Sequence, residues 1–202
     1  MIILCTSFAY AALFMLFKQS YPKIRVYTSL INAALLSAYT GYIYYNNSTM
    51  MITDNNTYLN DTITGFFLYD LTYGMILERE NFDIITGLLH HTVYLILLRY
   101  LRHNNLSYFI YPFLPFEVPT MLMDIRKIYP TRSVDYLFGL SFFAFRVVYN
   151  FYLIGTFIKI SIIYSAIITV MLAVHVSWFK LWVEKRFAIQ NNRVVFLIPA
   201  ST

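Results

Sequence analysis

Seven apolar stretches occupy most of this chain, near residues 2–17, 25–45, 63–78, 84–100, 106–125, 134–154 and 158–182. Such stretches must be buried against one another in water or laid in lipid. A soluble domain carries about 25% charged residues. Here 12% of 202 residues are charged and 59% are hydrophobic. The expected fold is therefore an all-α integral membrane protein of about seven transmembrane helices, with no separate soluble domain. A span needs about 20 residues, so the first and third stretches must borrow flanking residues or tilt. Pro112, Pro115 and Pro119 predict a kinked or locally unwound fifth segment, tolerated where neighbours satisfy the freed carbonyls.

Orientation follows from the basic residues between spans. With the N-terminus lumenal, the cytosolic side holds Lys18, Lys23, Arg25, Arg79, Arg126, Lys127, Arg132, Lys180, Lys185, Arg186 and Arg193. The lumenal side holds only Arg99, Arg102 and Lys159. The loop 46–62 lacks Lys and Arg but carries glycosylation sequons at Asn46, Asn47, Asn55 and Asn60, which agree with a lumenal placement. Seven spans with a cytosolic C-terminus result. The expected location is the endoplasmic reticulum or other secretory membranes, a host's if the source is viral. The first stretch has no basic leader, which argues against a cleaved signal peptide. One cysteine, Cys5, precludes an intrachain disulfide. The net charge of +5, set at membrane edges, suits anionic lipid better than nucleic acid.

Within the apolar stretches lie ionisable groups at one calculated depth. With a rise of about 1.5 Å per residue, Asp70, His90, His91 and Glu117 each lie about 10–12 Å from the cytosolic end of their spans. Arg146 lies about 18 Å in, with Asn150 one turn on, and His175 about 8 Å in. A charge at a span centre costs about 2.5–3.5 kcal/mol, so such groups face a cavity or one another. Arg146 with Asp70 or Glu117 is the expected ion pair. His90 and His91 point about 100° apart on a helix, so one ring can line a pocket while the other bonds a neighbouring helix. Tyr42, Tyr44, Tyr45, Trp178 and Trp182 read as interfacial anchors. Phe142, Phe143 and Tyr149 read as bundle packing.

The stretches GFFLYDLTYG, GLLHHTVY, FEVPTMLMDIR and FFAFR together resemble the TLC domain, the multispan lipid-handling module shared by ceramide synthases and other TLC domain-containing proteins. The resemblance covers roughly residues 20–185. It implies a single transmembrane helix over 1–19, a TLC-like membrane domain over 20–185 and a short cytosolic tail over 186–202. The later six helices would surround a cavity open to the cytosol. Ceramide synthases carry further His and Asp residues after the paired histidines, whereas 106–126 has no His and only Asp124. The chain is thus more similar to the non-synthase branch, although Pro119 precedes Thr120 where that branch has the reverse order.

Three functions compete. In the first, an acyl or sphingolipid species is bound, sensed or trafficked, its polar group meeting a layer of Asp70, His90, His91, Glu117, Arg146, Asn150 and His175. In the second, a ceramide-synthase-like acyltransferase uses His90 or His91 as base or acyl carrier, with Asp70 or Glu117 orienting the ring and acyl-CoA as substrate. In the third, a buried ion-pair clamp serves structure alone. No cofactor and no metal site are expected, since a di-iron site needs more ligands than four histidines in the whole chain supply. Membrane lipids are the expected partners, and homo-oligomerisation is left open.

Overall fold

A computed structural model describes residues 24–45, 57–77, 88, 90–187, 189–190 and 193–194. The first apolar stretch, Cys5 and the sequons at Asn46, Asn47 and Asn55 lie outside the described residues. The described backbone is helical almost throughout, so the all-α class holds. The chain divides into two compact units, Met1–Leu114 and Pro115–Thr202. The division falls among the prolines of a 3-10 segment, Ser107–Phe116, where the missing N–H groups and fixed φ of proline interrupt an α-helical ladder.

The first unit contains helices α1 (Ile24–Tyr45), α2 (Thr57–Leu77) and α3 (His90–His103). Its core joins Leu36, Phe66, Phe67, Tyr73, Leu98 and Tyr111. The second of these helices begins at Thr57, earlier than the apolar stretch alone predicts. Two buried polar residues explain the extension. The Asn60 side chain donates to the Leu98 carbonyl at 3.2 Å, and Asp61 accepts from Arg102 Nε at 3.1 Å. Both partners belong to α3. Of the four sequons, Asn60 alone falls among the described residues; it is 1% exposed, helical, and bonded through its amide.

The second unit contains α4 (Glu117–Ile128), α5 (Arg132–Ser141), a π-helical turn (Phe142–Val148), α6 (Tyr149–Phe157) and α7 (Ile162–Arg186). A two-residue antiparallel pair follows, Ile189 opposite Val194 and Gln190 opposite Arg193. Pro119 occupies the first turn of α4, where its missing N–H has no intrahelical partner to lose. Thr131 starts α5 by accepting from the Val134 N–H at 3.3 Å, a side-chain cap.

Two helical runs are long and apolar enough to cross a membrane: Arg132–Phe157, of 26 residues and hydropathy 1.6, and Tyr164–Arg186, of 23 residues and hydropathy 1.7. Only 33% and 17% of their apolar windows are buried. The core helix of a soluble protein is mostly buried, so these faces need another apolar cover. Leu140, Phe151, Tyr152 and Val170 are among the exposed side chains. Among the described residues, two such runs stand where seven spans are expected.

Gly139 marks the close approach of α5 and α7. A Cβ there would collide with the Trp182 ring. Trp182 also stacks on Phe179 at 5.7 Å and meets Phe138 edge-on at 6.4 Å. It is thus a packing residue between helices, not only the interfacial anchor expected from its place near a span end.

Candidate functional site

Each unit gathers its own buried polar group. In the first, Arg25 at the start of α1 grips Asp70 on α2. Its Nε donates to Oδ1 at 2.7 Å and its Nη2 to Oδ2 at 3.0 Å, the two-pronged geometry that suits guanidinium to carboxylate. The guanidinium also lies 5.9 Å from the Tyr73 ring centroid. Nδ1 of His91 lies 3.5 Å from the same Asp70 Oδ2, close enough for charge to act but without a directed hydrogen bond at that nitrogen. The His91 ring stacks on Phe67 at 5.1 Å. His90 lies against Tyr94, one turn along its own helix, at 4.6 Å. The adjacent histidines therefore diverge: one faces α2 and its carboxylate, the other runs along α3.

In the second unit the centre is Arg146, in the middle of the π turn. Nη2 donates to the Phe116 carbonyl at 3.0 Å and to Thr120 Oγ1 at 2.8 Å. Nη1 lies 3.3 Å from His175 Nε2. A guanidinium has donors only, so Nε2 accepts. Nδ1 lies 3.1 Å from the Arg146 carbonyl and 2.9 Å from the Asn150 amide nitrogen. The same carbonyl accepts from the Asn150 amide at 2.9 Å. In a regular α-helix this carbonyl is satisfied by a backbone N–H four residues on. Here two side chains reach it, and π turns are frequent at functional positions. Phe142 covers the guanidinium at 5.7 Å and meets His175 edge-on at 5.9 Å. Asn150 and His175 are 0% and 2% exposed.

Glu117 lies within electrostatic range of Arg146 and Asp124 and beside the Thr120 hydroxyl. The expected pairing of Arg146 with Asp70 or Glu117 needs correction. Asp70 takes two bonds from Arg25, and Arg146 directs its bonds to Phe116, Thr120 and His175. Neutral acceptors suffice because a guanidinium can be held by oriented carbonyl and hydroxyl dipoles as well as by a carboxylate.

Two sets of partners escape sequence reasoning. Arg25 reads as an orientation charge at the mouth of a span. Yet it stands at the same expected membrane side toward which Asp70 lies, and that shared side is the signal that could find it. Asp135 stands at the start of the sixth stretch and is not singled out by the sequence, yet it is 3% exposed and accepts from both Arg126 and Arg186. Among the described residues no cluster of three or more His, Cys, Asp or Glu is placed to hold a metal. No family model, no curated protein and no solved structure matches the chain.

Proposed function

We propose that this is a multi-pass membrane protein that binds, senses or traffics lipids, with the polar group around His91 in the first unit, or that around Arg146 in the second, meeting the polar part of an acyl or sphingolipid species. The observation that carries the reading is the pairing of apolar outward faces with polar centres inside each unit. The Arg132–Phe157 and Tyr164–Arg186 runs leave most of their apolar surface uncovered, whereas His91, Arg146, Asn150 and His175 turn toward other side chains. Polar groups are costly in lipid and commonly mark ligand or ion paths. The likeness of GLLHHTVY, FEVPTMLMDIR and FFAFR to TLC-domain sequences supports the same reading.

Acyl transfer is the second reading, and the 3.5 Å approach of His91 to Asp70 favours it. A carboxylate beside an imidazole can orient a general base. Against it, that carboxylate is shared with Arg25. Variants at His91 separate the two readings. Lipid retained by gently purified protein, measured by mass spectrometry, should survive His91→Asn or His91→Gln and fall in His91→Leu. Retention unaffected by His91→Leu contradicts lipid recognition by this residue. Transfer of the acyl group from acyl-CoA to the amine of a sphingoid base, with release of CoA, lost in His91→Gln, replaces it with catalysis, since proton transfer or acyl-imidazole formation has no substitute.

A further inference from the structure

Where α4, α5 and α7 end or begin in the second unit, their charges meet. Asp135, in the first turn of α5, accepts from Arg126 Nη1 in the last turn of α4 at 2.8 Å. Its second oxygen accepts from Arg186 Nε at the end of α7. One buried carboxylate thus fixes two guanidiniums from two different helices. The group keeps one net positive charge. Arg126 also lies over the Phe138 ring, 4.8 Å from its centroid, which holds the guanidinium plane in place. Its side chain is nevertheless 35% exposed, and it has five N–H donors, of which the Asp135 bond takes one.

The surroundings extend the same sign. Residues 124–135 and 180–186 hold Arg126, Lys127, Arg132, Lys180, Lys185 and Arg186 against only Asp124, Asp135 and Glu184. Three helix ends therefore present an excess of cations, two of which the buried Asp135 fixes, while Lys127 pairs with Asp124 and Lys180 with Glu184. Arg186 is the last residue of a run apolar enough to cross a membrane. Trp182 and Trp178 lie one and two turns inside it, and tryptophan favours the interface between headgroups and acyl chains.

We infer that this end of the second unit is a binding surface for anionic phospholipid headgroups, with Arg126 as its pre-oriented phosphate donor and Arg132 and Lys185 as its outer charges. This rests on the membrane-spanning part of the proposed function and on none of its lipid-handling chemistry. A guanidinium edge matches a phosphate oxygen pair, and a headgroup brings the phosphate to the depth where these helix ends lie. Nucleic acid, the other polyanion, would require the surface to stand clear of the bilayer.

The test uses the full chain in phosphatidylcholine vesicles containing spin-labelled phosphatidylserine or spin-labelled phosphatidylcholine. Resistance to carbonate extraction first establishes insertion. The expected result is enrichment of the serine lipid around the protein, decreasing with added salt. Each charge removed by Arg126→Gln, Arg132→Gln or Lys185→Gln should lower that enrichment by up to about fivefold. Arg99→Gln, on α3, should leave it unchanged. Arg126→Gln disturbs the Asp135 cluster, so Arg132→Gln with Lys185→Gln provides a variant that keeps the cluster intact. Equal association of both lipids with inserted protein overturns this inference alone, as does enrichment that the variants do not lower. Loss of enrichment to millimolar inorganic phosphate, or a preference for single-stranded RNA, reassigns the surface to another anion and overturns it too. Protein that fails to insert overturns this inference and the membrane reading together.

Discussion

Asp70→Asn is expected to destabilise the protein by about 3 kcal/mol, the low end for a broken buried ion pair because Arg25 keeps partial access to solvent. The asparagine keeps the shape of the carboxylate but not its charge. Arg25 then has one neutral acceptor where it had two anionic ones, and the field that holds His91 disappears. Arg25→Met should cost a comparable amount, since Asp70 loses both of its guanidinium bonds. The double replacement Arg25→Met with Asp70→Leu should recover much of the loss, because apolar groups of similar volume commonly replace a buried pair at little cost. Thermal unfolding in one detergent measures all three. A double variant as unstable as Asp70→Asn shows that the pair is not what holds α1 to α2.

Arg146→Leu should also cost several kcal/mol, for a different reason. It removes the donors to the Phe116 carbonyl, Thr120 Oγ1 and His175 Nε2. Each buried acceptor left without a donor costs about 1–3 kcal/mol, and the three losses overlap because they share one network. Arg146→Lys keeps the charge but loses the planar fork, so its cost should lie between those of leucine and the native residue. Glu117→Gln should not rescue Arg146→Leu, because the two groups interact at a distance without a direct ion pair. Full rescue by Glu117→Gln, in the same thermal assay, would show that Glu117 is the true partner.

Much of the helix placement is legible in the sequence. The stretches at 25–45 and 158–182 correspond to Ile24–Tyr45 and Ile162–Arg186, because uninterrupted apolar runs of that length leave few alternatives. The three prolines of the fifth stretch are legible as a disruption, and the structure resolves it into a 3-10 segment followed by a helix with Pro119 in its first turn. The start of α2 is not legible. Asn60 and Asp61 look like loop residues until Leu98 and Arg102 supply their partners. The π turn is equally hidden, since Phe142–Val148 has the composition of any apolar helix.

The polar groups are legible as residues but not as pairs. Arg146, Asn150 and His175 are singled out by their cost in lipid, and the structure does bring these three together. Their bonding could not be foreseen, because it depends on a backbone carbonyl and a threonine that carry no hydropathy signal. Arg25 shows the converse. A cation at a span edge already has an explanation in membrane orientation, so its bond to Asp70 is masked.

Whether the apolar helical runs cross a membrane can be read at the two ends of one run. Arg132 and Lys159 flank the Arg132–Phe157 run and are both exposed. In a Cys5→Ser background, single cysteines placed by Arg132→Cys and Lys159→Cys can be treated with a membrane-impermeant thiol reagent in sealed microsomes. Lys159→Cys should stay protected in cytosol-out vesicles until they are opened, while Arg132→Cys should react at once. Immediate and equal labelling of both positions would contradict a membrane crossing.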